Sequence, residues 1–325
     1  MKSSIKFMLL ALAGWASCLA SAAAQPAFPA APIHFVVPYS AGGTVDIVGR
    51  LVAQGMAAKL GQPAIVENKA GAGSLIGADY VAKSRADGYT VLVAPNTTLT
   101  VAPNLYKNSV FRASQIDPIG LVSTNQFILT VNGKSPINNL QDLIAAAKKD
   151  TNKLSYGTSG SGTIFHLMGA SFNQAADTKI LHVPYKGSSN AMADLLGNSI
   201  SMMFDAIPAS IPHIRSGNLK AIAVTGPVRS ALLPNVPTIA ESGLPNYKVE
   251  GWIALGVPNG LPASTREALR KALESLRNDA EFQKQLRDLG VEPASNAASA
   301  QLGERIKTES SRFQLIISQG KITLD

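Results

Sequence analysis

The sequence predicts an α/β fold built from two units, and three observations lead to this prediction. Short apolar runs of strand length alternate along the chain with segments whose apolar residues recur with helical spacing. About 300 residues follow the N-terminal leader, a length that is natural for two domains. Two glycine-rich loops, one in each unit, follow a strand and open a helix. Such alternation favours mostly parallel sheets that are covered by helices on both faces.

The first unit alternates strand and helix from its start. Its predicted elements lie, in the order strand, helix, strand, helix, strand, at residues 33–37, 44–60, 64–67, 75–83 and 90–94. The first helix carries an apolar face from Val45 to Leu60, and Gly61 ends it as a C-terminal glycine commonly does. The turn Asp87–Gly88 leads into the last of these strands.

The second unit repeats the alternation, and the two units meet near residues 120–130. Its strands are predicted at residues 127–131, 154–156, 181–183, 201–204 and 220–224, and its helices at residues 140–149 and from 164 onward. Loops follow Pro234. A final strand at residues 252–257 and three amphipathic helices at residues 264–276, 279–289 and 299–319 complete the chain.

The N-terminus has the pattern of a secretory signal peptide over residues 1–24. Lys2 and Lys6 supply a positive start, residues 7–20 are apolar or small, and Ala22–Ala24 predicts cleavage after Ala24. A membrane anchor is an alternative, but a spanning helix needs about 20 apolar residues. A lipoprotein modified at Cys18 is another, although Trp15 stands where an aliphatic residue is usual. Cleavage would remove the only cysteine, and with it any disulfide or Cys-based metal site.

The charge of the mature chain excludes one class of function and favours another. The precursor has 29 basic and 21 acidic residues, so the loss of Lys2 and Lys6 leaves a formal charge of +6. The basic residues are scattered, with no run longer than two residues, as at Lys148–Lys149, whereas nucleic-acid binders cluster them among aromatic residues. We therefore expect no nucleic-acid partner and a mild preference for anionic ligands.

The first glycine loop lies at the carboxyl end of a strand, where ligands bind in open α/β sheets. Its glycines allow backbone to approach a ligand closely, and the free N–H groups of the following helix favour an anion. The alternative is an ordinary capped turn before a helix. The predicted ligand-binding residues here are Tyr39, Ser40, Ala41, Gly42, Gly43 and Thr44.

The second glycine loop occupies the equivalent place in the second unit. It lacks the lysine of a phosphate-binding P-loop, and position 161 is serine where a nucleophile elbow needs glycine. A flexible Gly/Ser turn is the alternative to a ligand loop. The predicted ligand-binding residues here are Ser159, Gly160, Ser161, Gly162 and Thr163.

Metal and catalytic sites find little support in the sequence. The four histidines are far apart and match no metal-binding spacing, so we expect no metal and no cofactor. His166 follows the second loop and Asp205 follows an apolar strand, and both are candidates for the ligand site. An exported hydrolase using Ser159 or Ser161 would need a histidine oriented by a carboxylate, and only His166 is near.

Together, these motifs resemble the Bug family, the TctC-type extracytoplasmic solute receptors of tripartite tricarboxylate transporters. The resemblance covers nearly all of the mature chain. It is carried by segments that share the family's order and spacing, at residues 37–46 (VPYSAGGTVD), 66–73 (VENKAGAG), 87–90 (DGYT), 156–163 (YGTSGSGT), 166–167 (HL), 182–187 (HVPYKG) and 233–238 (LPNVPT).

The resemblance implies a two-domain periplasmic-binding-protein fold, a type II-like Venus flytrap. Residues 25–124 plus 250–325 would form domain 1 and residues 125–249 domain 2. A ligand carboxylate would lie between them, held mainly by backbone amides and water at the two glycine loops, with Asp205 at the cleft edge. Tyr39 and Val45 stand where the family commonly has phenylalanine and threonine, and Tyr39 adds a hydroxyl at the cleft.

The resemblance also implies a non-catalytic function. The protein would be a periplasmic monomer that delivers a small carboxylate to the membrane subunits of a tripartite tricarboxylate-type transporter. The exported hydrolase stays open as an alternative, and so does a ligand-sensing lobe that presents the bound form to a signalling partner. The sequence does not select one carboxylate among the di- and tricarboxylates, amino acids, aromatic acids and vitamins that the family binds.

Overall fold

A computed structural model describes residues 28–106, 110–150, 153–247, 249–320 and 322. The predicted signal peptide, its cleavage site and Cys18 lie outside these residues. Eleven strands of the described chain form two separate sheets, of six and five strands. Within the same residues, no helix is both long and apolar enough to cross a membrane.

The first sheet is formed by the beginning of the chain and by two strands that return to it near the end. Its spatial order is β11-β4-β10-β3-β1-β2. The strands are β1 (Ile33–Val37), β2 (Ala64–Asn68), β3 (Thr90–Pro95), β4 (Ile116–Asn125), β10 (Gly251–Pro258) and β11 (Glu292–Pro293). Only β1 is parallel to its neighbours β2 and β3; β10 runs antiparallel to β3 and β4.

The second sheet contains the middle of the chain, in the spatial order β7-β6-β8-β5-β9. Its strands are β5 (Phe127–Asn132), β6 (Ser155–Thr158), β7 (Leu181–Pro184), β8 (Met202–Ala206) and β9 (Leu219–Val224). Strand β6 is parallel to β7 and β8, whereas β5 is antiparallel to β8 and β9. Both sheets are thus mixed.

The helices connect the strands and cover the sheets. They are α1 (Thr44–Leu60), α2 (Leu75–Ala82), α3 (Ala102–Leu105), α4 (Leu140–Lys149), α5 (Ile164–Ala176), α6 (Ser188–Leu196), α7 (Ile207–Arg215), α8 (Ala263–Arg277), α9 (Ala280–Asp288), α10 (Asn296–Ala300) and α11 (Leu302–Gln319). A π-helical turn, Thr97–Val101, precedes α3, and two 3₁₀ turns lie at Ala72–Ser74 and Ala113–Gln115.

The prediction of mostly parallel sheets is wrong. The pairs β3–β10, β10–β4, β4–β11, β5–β8 and β5–β9 are all antiparallel. A strand that is buried on both faces has the same apolar pattern in either direction, so its local sequence does not encode its orientation. The final predicted helix, at about residues 299–319, corresponds to α11, and the short helix α10 precedes it.

Strand β4 was not predicted because Pro118 and Gly120 interrupt its apolar pattern. Proline cannot donate to a ladder and is tolerated in a sheet at edges or bulges. The structure shows such an irregularity, since the register of β10 against β4 shifts between Leu255 and Gly256, where Gly256 faces Pro118. Pairing with a distant strand therefore overrides the local signal.

Two kinds of connection join the sheets. Gln126 alone separates β4 in the first sheet from β5 in the second, and residues 225–250 lead back from β9 to β10. Phe313 and Ile316 of α11 pack in the same apolar cluster as Leu167 and Phe172 of α5. The C-terminal helix therefore packs against elements of the middle segment, and the division into domains at residues 124/125 and 249/250 stays a prediction.

Candidate functional site

A cavity of about 580 Å³ lies where the carboxyl ends of strands from the two sheets meet. The first glycine loop and α1 contribute Tyr39, Thr44 and Val45 to its lining. The second glycine loop contributes Ser159, Ser161, Gly162 and Thr163 from the opposite sheet. The topology thus brings the two predicted loops to one cleft, although Ser159 lies 114 positions after Val45 in the sequence.

Helix α1 begins with backbone donors that no side chain caps. Its N-cap is Gly43, which has no side chain to accept a hydrogen bond, and the first intrahelical bond runs from Ile47 N to Gly43 O at 3.0 Å. The N–H groups of Thr44 and Val45 therefore lack an intrahelical acceptor, as the first turn of every helix does. These donors and the positive end of the helix dipole make the start of α1 suitable for an anion.

Asp46 holds the first glycine loop against α1. Its carboxylate accepts hydrogen bonds from Gly42 N at 2.9 Å, from Arg50 Nε at 3.0 Å and from Asn68 Nδ2 at 2.8 Å. Asn68 Nδ2 also donates to Tyr39 O at 3.0 Å. Burial alone would raise the pKa of Asp46, but the Arg50, Gly42 and Asn68 donors outweigh it and lower the pKa to about 2. Asp46 is therefore ionised, and the loop geometry depends on it.

The second glycine loop is tied by its own side chains. Thr163 Oγ1 donates to Gly160 O at 2.8 Å and accepts from His166 N, which caps α5. Gly162 N donates to His166 Nδ1 at 3.1 Å. Within the described part of the chain, the N–H groups of Ser159 and Ser161 have no protein acceptor. These two N–H groups, together with that of Ile164 at the start of α5, are the donors that this part of the chain offers to a ligand.

A stacked pair of histidines supports the second loop from behind. The rings of His166 and His182 lie 3.7 Å apart, centroid to centroid, at an angle of 10°. His182 Nε2 forms a 2.7 Å hydrogen bond with Thr158 Oγ1, at the start of the loop. Burial lowers the pKa of each histidine to about 4, so both rings are neutral at pH 7. Neutrality leaves His166 Nδ1 free to accept the Gly162 N–H.

The structure separates the predicted site residues into two groups. Those that line the cavity are Tyr39, Thr44, Ser159, Ser161, Gly162 and Thr163. Those that do not line it are Ser40, Ala41, Gly42, Gly43, Gly160, His166 and Asp205. Asp205 is buried in β8, opposite Ile128, and burial raises its pKa to about 6. The contacts of all these residues with a ligand stay predictions.

Most of the cavity wall was not predicted from the sequence. Apolar residues supply it, and they come from the π-helical turn, α3, β5, α5, β10 and the end of α9. The bulkier of these lining residues are Val101, Leu105, Tyr106, Phe127, Ile164, Phe165, Trp252, Ile253, Leu289 and Val291. Their sequence pattern is that of ordinary core residues, so only the fold shows that they face a common space.

The catalytic alternatives have no matching geometry in the described residues. No hydrogen bond there joins the hydroxyl of Ser159 or Ser161 to a histidine, and His166 Nδ1 is already bonded to Gly162 N. No group of three or more His, Cys, Asp or Glu side chains in the same residues is arranged to hold a metal ion. The arrangement of two donor loops across a cleft is suited to holding an anion.

Two sheets with their connecting helices flank the cleft, which is the architecture of periplasmic binding proteins. The predicted fold class is therefore confirmed. The family model for the tripartite tricarboxylate transporter family receptor, TctC, matches residues 48–322. The chain therefore belongs to the TctC family of solute receptors, which includes the Bug proteins. The family that its motifs resemble is thus confirmed.

Three known proteins illustrate the relationship. The UPF0065 protein in the tcbD-tcbE intergenic region of Pseudomonas sp. (strain P51) is 35% identical over 299 residues, 91% of this chain and 88% of that protein. The structure of the periplasmic binding protein BugD is 34% identical, with a TM-score of 0.73 over 91% of this chain and 99% of that one. The structure of R. palustris Rpa4515 with adipate is 29% identical, with a TM-score of 0.76 and coverage of 91% and 99%.

Proposed function

We propose that this chain is a periplasmic receptor that binds a small carboxylate in the cleft and delivers it, chemically unchanged, to a tripartite tricarboxylate-type transporter. One observation carries the proposal. The start of α1, which follows a strand of the first sheet, and the second glycine loop, which follows a strand of the second sheet, line one cavity with free backbone donors. A helix start contributes roughly 0.3–1 kcal/mol to an anion, and up to ~2 kcal/mol when partly buried. The relative that is described with adipate supports a carboxylate ligand.

Binding would involve closure of two lobes around the ligand. We propose residues 25–124 plus 250–325 as one lobe and residues 125–249 as the other, in a monomeric protein. Two connections would act as the hinge, since their backbone dihedral angles can change: the single residue Gln126 between β4 and β5, and the return segment 225–250. Closure would exclude water from both donor loops and strengthen their interaction with the carboxylate.

The receptor and the hydrolase differ in what becomes of the bound compound. We expect a bound carboxylate to stabilise the folded protein by about 2.7 kcal/mol at a concentration of 100 times its Kd, and so to raise the melting temperature. We also expect it to reduce the radius of gyration in solution scattering. Mass spectrometry should recover the compound intact. Turnover of the compound that Ser159→Ala or Ser161→Ala abolishes would contradict the receptor function and support the hydrolase.

A sensing role uses the same cleft, so capture experiments with transporter or signalling subunits separate it from uptake.

Export is the second part of the proposal. The family is periplasmic, and Lys2, Lys6 and Ala22–Ala24 predict a signal peptide that is cleaved after Ala24. Protein recovered from the periplasm should therefore begin at Gln25 when its N-terminal peptide is sequenced by mass spectrometry. A protein that retains Met1, or that carries lipid on Cys18, would contradict this cleavage.

A further inference from the structure

We propose that Arg305 and Glu309 of α11 are positioning residues for the cleft, which set its ligand affinity without lining it. They hold Trp252 in the cavity wall and anchor Glu250, the last residue of the return segment. Neither Arg305 nor Glu309 is among the residues that line the cavity. This inference rests on the proposed function and identifies residues on which the affinity of the same cleft depends.

The side chain of Trp252 has a single polar atom, and that atom is bonded to α11. Trp252 lies in β10, lines the cavity and is 1% exposed. Its indole Nε1 can only donate, and it donates to Glu309 Oε2 at 2.9 Å. The guanidinium of Arg305 lies 6.0 Å from the centre of the ring. The orientation of this part of the wall is therefore set from the C-terminal helix.

Arg305 bridges two carboxylates that are largely removed from solvent. Its Nε donates to Glu309 Oε1 at 2.8 Å and its Nη2 to Glu250 Oε2 at 3.3 Å. At most 22% of any of the three side chains is exposed. Burial raises the pKa of Glu250, Arg305 opposes this shift, and the charge of Glu309 adds to it. Without the guanidinium, two largely buried carboxylates would lie beside each other with no counter-charge, which is costly.

Glu250 connects this cluster to the hinge and to a second residue of the wall. Its backbone oxygen accepts a hydrogen bond from Asn96 Nδ2 at 3.2 Å, and Asn96 lines the cavity directly after β3. Glu250 also immediately precedes Gly251, the first residue of β10, where the return segment enters the first sheet. One cluster thus anchors two wall residues and the end of a proposed hinge connection.

Helix α11 extends from this cluster to the middle segment of the chain. Phe313 and Ile316, one and two turns beyond Glu309, pack in the same apolar cluster as residues of α5. Gln319, at the end of α11, accepts a hydrogen bond from Gln174 of α5. A movement of the proposed second lobe would therefore reach Trp252 through α11.

The first test measures the environment of Trp252 directly. The precursor has two tryptophans and Trp15 lies in the predicted signal peptide, so the mature protein would fluoresce from Trp252 alone. Glu309→Leu removes the acceptor of the indole N–H, and should shift the emission maximum and increase quenching by acrylamide. Glu304→Leu, the same change at an exposed position of α11, should leave both unchanged. Glu309→Gln keeps one acceptor oxygen and should give an intermediate result.

The second test asks whether Glu309 affects the ligand through Trp252. A thermal-shift panel of adipate, malate, citrate, glutamate and benzoate selects a bound carboxylate, and isothermal titration measures its affinity. Glu309→Leu should weaken binding by roughly tenfold, the change that 1.4 kcal/mol produces. Trp252→Phe keeps an aromatic ring but has no N–H, so in that background Glu309→Leu should weaken binding much less. Circular dichroism and a melting curve verify folding, and Glu309→Gln replaces any Glu309→Leu protein that does not fold.

The outcomes separate the inference from the function on which it rests. Loss of affinity that largely disappears in the Trp252→Phe background supports both. If Thr44→Pro, which removes a backbone donor of α1, weakens binding but Glu309→Leu does not, the positioning role is wrong and the receptor stands. Equal losses from Glu309→Leu in the two backgrounds also overturn the positioning role. If no carboxylate in the panel binds, both fall.

Discussion

Replacing Thr44 by proline should weaken carboxylate binding by tenfold to roughly a hundredfold while leaving the fold intact. Thr44 is the first residue of α1, where proline is well tolerated because the N–H has no intrahelical acceptor. Gly43 has φ −82° and ψ 167°, an extended conformation that suits a residue before proline. The substitution thus removes one donor to the ligand, and a hydrogen bond to a charged group contributes about 1.5–3 kcal/mol. Isothermal titration of the variant measures the loss.

Matched variants distinguish the N–H from the side chain. Thr44→Ala removes only the hydroxyl and keeps the N–H, so it should bind nearly as tightly as the wild type. Ile164→Pro makes the same change at the first residue of α5, whose N-cap Thr163 is also extended, and Ile164→Ala is its control. If both proline variants bind normally, the donors at the starts of α1 and α5 play no part in holding the carboxylate.

The Asp46→Ala variant should lose about 2 kcal/mol of unfolding free energy and several-fold in ligand affinity. The Asp46 side chain is 3% exposed and accepts from three donors, which would all lose their acceptor. Release of Gly42 N also removes the bond that sets the first glycine loop. Urea unfolding at pH 7 measures the first effect, and titration with the ligand measures the second.

The pH dependence of this difference has a definite sign. The pKa of Asp46 falls from an ordinary 3.8 to about 2 on folding, so its contribution to stability is complete above pH 3.8 and declines as the pH falls toward 2. The difference in unfolding free energy between the wild type and Asp46→Ala should therefore become smaller in acid. Asp288→Ala, which breaks an exposed pair with Lys284, is the control and should change stability by about 0.5 kcal/mol or less. Equal losses in the two variants would show that Asp46 does not hold the loop.

The two glycine loops could be predicted from the sequence because their signals are local. A strand, a glycine turn and a helix start lie within a dozen residues, and Thr163 and Asp46 have the side chains that such turns use. The strands and helices around them have equally local patterns, and α1 begins and ends where the sequence predicts.

The rest depended on contacts between distant residues. Strand β10 returns from beyond residue 250 to pair with β3 and β4 in the antiparallel direction, which no local pattern specifies. Phe165 and Trp252 likewise look like core residues until the fold places both at the cavity. The role of His166 was open for a related reason, since its bond to Gly162 N and its stacking on His182 need the tertiary structure.

The central claim is that backbone N–H groups of both loops bind one carboxylate, and amide chemical shifts measure this most directly. In a ¹⁵N-labelled mature protein titrated with a small carboxylate that raises its melting temperature, we expect downfield proton shifts for the amides of Thr44, Val45, Ser159 and Ser161, saturating together at one ligand per chain. The amide of Gly303, in the exposed first turn of α11, should not move. Saturable shifts that leave the amides of both loops unchanged would contradict the account.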